Sequence, residues 1–158
     1  MMIERWDVPQ HIINETVHAV TRGRHEVFVF WTAALGDQSA VCNVRRCVVP
    51  TQRPGTAPDG VYVHITGAEL SRIQFDNFDH GERSVVQLHT HPGTDVRMSG
   101  LDRKWDVVTH DGALSIIVPS YGDYGLIDFP GVNVYEREAQ SWRLWATDET
   151  SQRLRIVP

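Results

Sequence analysis

The sequence predicts an α/β (α+β) fold: a single domain over residues 1–158 in which helices pack on a mixed sheet. Three observations predict it. Helical and strand-like apolar patterns alternate along the chain in mixed order, as in layered helix-on-sheet domains. The length of 158 residues suits one domain. A hydrophobic fraction of 41% beside 22% charged residues is ordinary for a chain that buries a core.

Pro9 opens the first helix. Ile12, Ile13, Val17 and Val20 recur at helical spacing and Gly23 suits its stop. Glu26 to Leu35 is rich in aromatic and β-branched residues and reads as a buried strand. Gly36-Asp37 turns the chain into a second strand over Ala40 to Val49. Three prolines and two glycines make residues 50–60 a loop. Val61 to Ile65 is a short strand. Thr66 to Phe75 is a helix with Thr66 and Glu69 at capping-box spacing, and Asp76 to Glu82 is a polar connection. Ser84 to His89 is a strand, Ser99 to Val107 a short helix and Leu114 to Pro119 another buried strand. A glycine-containing loop, Tyr121 to Gly125, precedes strands over Leu126 to Phe129, Val132 to Glu136 and Trp142 to Ala146.

Charge and cysteine usage narrow the function classes. A net charge of −5 gives no basic stripe of the nucleic-acid-binding kind, and Arg45-Arg46 and Arg22-Gly23-Arg24 read as solvated faces. No apolar run is long enough to cross a bilayer as a helix, so no membrane partner is expected. Cys42 and Cys47 are too few for a disulfide framework, and on one strand their odd spacing puts them on opposite faces. Reduced thiols in the cytoplasm are the simple expectation, and the sequon Asn14-Glu15-Thr16 then has no glycosylation role.

The stretch that carries chemistry is His89-Thr90-His91-Pro92 followed by Ser99-Gly100-Leu101-Asp102. Histidines two apart on a strand share a face. Ser99 and Asp102, three apart, share a face of a helix. Two imidazoles and one carboxylate form the three-ligand set of a catalytic zinc with an open position. Each half has an ordinary structural explanation, an exposed strand face for His-x-His and a helix cap for Ser-x-x-Asp. Together, independent placement would produce the pattern with a chance on the order of 10⁻³ over the chain. The outer ring nitrogens need acceptors, for which Asp95, Asp106 and backbone carbonyls are candidates. Elsewhere, His110-Asp111-Gly112 reads as a turn with positive φ at Gly112, His64 and His80 lack partners at ligand spacing, and the Tyr121–Gly125 loop is a candidate border of a cleft.

The pattern resembles the JAMM motif of the MPN, or JAB-domain, metalloproteases: an upstream Glu, then His-Ser/Thr-His-Pro, then Ser-x-x-Asp at this spacing. Glu26 fills the upstream position, although Val27-Phe28-Val29-Phe30 follows it where the family often has small residues. The resemblance spans nearly the whole chain. It implies a curved mixed sheet flanked by helices, Zn²⁺ on His89, His91 and Asp102, Glu26 as general base, and Ser99 as stabiliser of the tetrahedral intermediate. It further implies cleavage after the C-terminal tail of a ubiquitin or ubiquitin-like protein. The alternatives are an amidase acting on a small carrier-protein conjugate and a metal-free scaffold, which would normally lack ligands that this chain retains. Thr51–Gly60 and Asp76–Glu82 are the expected sites of insertions that shape substrate binding.

Overall fold

The computed structural model describes residues 2–58 and 60–158. Its elements in order are β1 (Arg5–Pro9), α1 (Gln10–Val20), β2 (Phe28–Ala34), β3 (Val41–Asn43), β4 (Arg46–Val48), β5 (Arg53–Ala57), β6 (Gly60–His64), α2 (Gly67–Asp79) and β7 (Glu82–Thr90). There follow α3 (Gly100–Lys104), β8 (Leu114–Val118), a 3₁₀ turn (Ser120–Gly122), β9 (Asn133–Glu138), β10 (Ser141–Leu144), α4 (Thr147–Arg153) and β11 (Leu154–Val157). The fold is mixed α+β, with four helices flanking several sheets.

The principal sheet has six strands in the order β10-β9-β8-β7-β2-β4. Only the β7–β8 pair in it is parallel. β7 is its spine, and the run Val85, Val86, Gln87, Leu88, His89, Thr90 is buried throughout. A strand covered on both faces reads as a continuous apolar run. A bulge between Trp31 and Thr32 shifts the β2–β7 register and re-aims the strand. The main core gathers Trp6, Ile12, Val29, Trp31, Leu88 and Ile116. Thr16 ties α1 to β2, its hydroxyl donating to the Ile12 carbonyl (2.7 Å) and accepting from Trp31 Nε1 (2.9 Å).

Several expectations change. The strand read over 40–49 is two strands in two sheets: β3 pairs parallel with β1 and β4 antiparallel with β2. Cys42 and Cys47 are both free, and burial pushes their thiols up to about 12 and about 11. The 50–60 loop contains β5, which forms a hairpin with β6. α2 runs on to Asp79, and only half of its expected capping box forms. Thr66 accepts from the Glu69 N–H, while the Glu69 carboxylate turns to Arg72 and the Thr51 N–H. Residues 126–129 make turns in place of a strand, with Asp128 and Phe129 at positive φ. Trp142 and Trp145 are both buried, one on each face of the strand end, in separate clusters. Unanticipated are β1, α4 and β11: β1 and β11 pair in parallel, Trp6 opposite Leu154. The segment Asp76–Glu82 spans the last turn of α2, the turn at His80-Gly81 and the first residue of β7, at the end of that strand away from His89.

Candidate metal centre

Three segments meet where β7 ends. Glu26 stands just before β2. Its position is set by the clamp of Val27 on Thr90, Val27 N–H to Thr90 Oγ1 (3.1 Å) and Thr90 N–H to the Val27 carbonyl (3.2 Å). On the other edge of β2, Gln52 holds Phe28 by both backbone groups. His89 lies opposite Phe28 in the β2–β7 ladder. His91 is just past the strand, still held by its N–H to the Val118 carbonyl (2.9 Å). The loop to α3 is anchored where the Tyr135 hydroxyl accepts from the Met98 N–H and Asn133 donates to the Val96 carbonyl. Ser99 then caps α3 in a full capping box with Asp102. The helix-cap explanation of Ser-x-x-Asp holds and is compatible with a ligand role, because the cap fixes where the carboxylate points.

The side chains converge. His89 Nε2 and His91 Nε2 are 3.1 Å apart. Asp102 Oδ1 is 3.1 Å from the first and Oδ2 3.2 Å from the second. Ligand atoms at zinc bond lengths in a tetrahedron stand ~3.3 Å from one another, so this spacing fits one ion shared by two imidazoles and a carboxylate. Glu26 Oε1 is farther, 3.8 Å from His91 Nε2, a distance that suits an acid beside the centre. Glu26, His89 and His91 also form a group whose ligand atoms all lie within 4.8 Å.

The electrostatics match. Burial pulls His89 below its ordinary value against the pull of Asp102, which keeps the ring neutral and able to bind a metal. Burial also opposes charge on His91, but the hydrogen bonds of Asp102 and of the Asp95 carbonyl outweigh it and raise that histidine. Asp102, although buried, is held well below the carboxylate range by His89, His91 and the Ser99 N–H. Burial pushes Glu26 up to about 7, opposed by His91 and reinforced by Asp102. A carboxyl poised near neutrality is suited to taking and returning a proton.

Of the candidate acceptors for the ring nitrogens, a backbone carbonyl serves His91: that of Asp95, 2.7 Å from Nδ1. Asp106 instead binds Arg137 and Trp142. His89 Nδ1 has no protein partner among the described residues, and the ring is held by stacking on Phe28, 4.5 Å between centroids and 6° between planes. Two residues important to the frame escaped the sequence. Gln52 lies inside the expected loop. Gln87 accepts from the Val107 and Val108 N–H groups and so pins the chain leaving α3; its signal was a polar residue inside the apolar run Val85–Leu88. Gly112 does take positive φ, and Tyr121 does border a cleft that reaches Glu26.

Fold and donor set define a mixed-sheet domain that carries a candidate metal centre at the end of its central strand. The solution structure of protein DSY2949 from Desulfitobacterium hafniense shares the fold, with a TM-score of 0.66 at 12% identity over 96% of this chain and 92% of that one. No protein-family model matches the chain. The Sinorhizobium fredii (strain NBRC 101917 / NGR234) protein named "Probable metalloprotease y4jG" is 30% identical over 125 residues, 79% of this chain and 75% of the relative. The chain belongs to the family of that metalloprotease. Among the described residues, no helix is long and apolar enough to cross a membrane.

Proposed function

We propose that this protein is a zinc-dependent peptidase or isopeptidase of the JAMM type, with the metal on His89, His91 and Asp102. The observation that carries this reading is the convergence of two Nε2 atoms and both Asp102 oxygens at 3.1–3.2 Å, with Glu26 alongside at 3.8 Å. Two nitrogens and one carboxylate are a zinc donor set. When bound, the metal supplies a Lewis acid and lowers the pKa of a water toward ~7.

The chain's own groups do the rest. Glu26 takes the proton of the attacking water and returns it to the leaving amine. Asp102 balances charge, and its position follows from the α3 cap. Ser99 Oγ accepts from the Asp102 N–H, which leaves the hydroxyl hydrogen free to donate to the oxygen that becomes negative as the carbonyl is attacked. Removing such a donor costs ~2.7–4 kcal/mol of barrier. We assign the substrate as an amide after the C-terminal tail of a ubiquitin-like protein, in a cytoplasm where both thiols stay reduced. An amidase acting on a small carrier-protein conjugate would use the same centre with a different rim.

Zinc content by elemental analysis, followed by intact-mass assay against ubiquitin-like fusions and isopeptide conjugates, tests the proposal. One zinc per chain is expected, with cleavage at the tail. Metal-replete protein without zinc would sink the centre, and cleavage of small conjugates alone would move the substrate to the second reading.

A further inference from the structure

The centre opens on one side into a cavity of ≈ 380 Å³. Glu26 and Asp102 stand at its inner wall, and Phe28, Tyr62, Ile65, Leu70, Leu101 and Trp105 line it. β6, α2 and α3 each contribute to its walls. Tyr62 and Trp105 meet edge to face at 5.1 Å and form a rigid aromatic corner. Trp105 is 44% exposed and Val107 37% exposed, so both stay within reach of a molecule entering the cavity. A second cavity at the centre is more polar: there Glu26, His91 and Ser99 stand with Asp95 and Arg97.

We infer that the Phe28–Tyr62–Leu101–Trp105 cavity is a specificity pocket that receives an apolar chain flanking the scissile amide. The inference rests on the peptidase reading of the centre. Contiguity with Glu26 and Asp102 decides the occupant: a group in this cavity lies next to the atoms that move the proton. A glycine-ended tail brings no side chain on the acyl side, so for such a substrate the occupant is the leaving residue, and a lysine stem, four methylenes long, has the right chemistry. Burying a leucine- or phenylalanine-sized group instead of leaving it in water favours it by about 10- to 100-fold.

The pocket is tested first without catalysis. Methyl-labelled, metal-free protein is titrated with N-acetyl-phenylalaninamide, N-acetyl-leucinamide and N-acetylglycinamide. Shifts at Ile65, Leu70 and Leu101 with the first two, and none with the glycine amide, are expected. Val107→Trp, which fills the mouth, and Trp105→Ala, which removes one wall, should each abolish them. Shifts that map elsewhere, or equal shifts from all three, overturn the pocket. Zinc-loaded protein is then given two peptide series that carry Gly, Leu or Phe on the acyl side or on the amine side, with a lysine isopeptide series beside them. A preference of about 10- to 100-fold for the apolar residue on the amine side is expected, and a preference confined to the acyl side, or hydrolysis without preference, overturns the inference while the peptidase reading stands. Binding of the apolar amides without hydrolysis of any series overturns the peptidase reading and leaves the pocket.

Discussion

Glu26 and Glu82 sit at opposite ends of the β2–β7 pair and are equally buried, 7% and 6% exposed. Their surroundings differ completely. Glu82 receives Arg46 Nε at 2.6 Å and the Thr32 hydroxyl at 3.0 Å, with Arg45 at 3.7 Å. Arg46 in turn is held by Asp76 and Asn77. Glu136, also buried, has Trp145 Nε1 and Arg153. Glu26 accepts no hydrogen bond among the described residues, and the His91 ring nitrogen stands 3.8 Å away. A buried carboxylate whose lone pairs are answered braces the fold. One left short of donors is pushed toward neutrality and is available for proton transfer. Burial alone therefore does not single out a candidate acid; burial without protein donors does.

Substitutions can break this contrast. The largest effect is expected at the centre itself: His89→Ala and Asp102→Ala each remove a proposed ligand and should abolish stoichiometric zinc, read by elemental analysis. Retention of full zinc by both would move the metal elsewhere. Next comes Glu26→Gln, which keeps shape and burial but cannot take a proton. Zinc should stay bound while turnover falls by about 10²–10⁴-fold, measured as kcat on whichever amide the wild type cleaves. Near-normal turnover would make Glu26 another structural acid.

Glu82→Gln should show the opposite profile. It leaves part of the Arg46 charge unanswered, at a cost of about 2 kcal/mol in denaturant unfolding, with zinc and kcat unchanged. A loss of activity without a loss of stability would contradict the division drawn between the two glutamates. The smallest effect concerns His110, which burial, helped by Arg83, pushes down to about 4. The folded protein holds this ring neutral, so protonation favours the unfolded chain. Its contribution is complete above the ordinary histidine value of about 6.5 and is lost as pH falls toward 4. Solvent screening of this partly exposed ring limits it to about 1–2 kcal/mol. His110→Gln should flatten that part of the stability profile, and an unchanged slope across that acid range would assign it to other groups.

Much of the site was legible because its residues are local. His89, His91, Ser99 and Asp102 fall within one short stretch of chain, and strand and helix periodicities suffice to aim them. Glu26 was legible only through resemblance, since an acid before a strand is commonplace and its neighbours come from β7, far along the chain. The strand errors have a similar cause. The Ala40–Val49 run looks continuous in hydropathy, yet Val44 and Arg45 turn the chain between sheets, their N–H groups bonding to Asp7 and Thr32 carbonyls. β1 and β11 pair although they lie at opposite ends of the sequence, and no local pattern announces such a partner.

The sequence by itself determined the alternation of helices and buried strands, the caps at Thr66 and Ser99, and a donor set of two histidines and an aspartate. Those follow from side-chain periodicity and short-range hydrogen bonding, which act over a turn of helix or a few residues of strand. Only the tertiary structure decided that the Glu26 carboxylate lacks protein donors where Glu82 has them, that Gln52 and Gln87 brace the walls of the centre, and that β6, α2 and α3 wall an apolar cavity beside it. Each of those depends on which distant backbone and side-chain groups are brought within hydrogen-bonding or van der Waals reach, and burial and partnering are properties of that packing rather than of any segment.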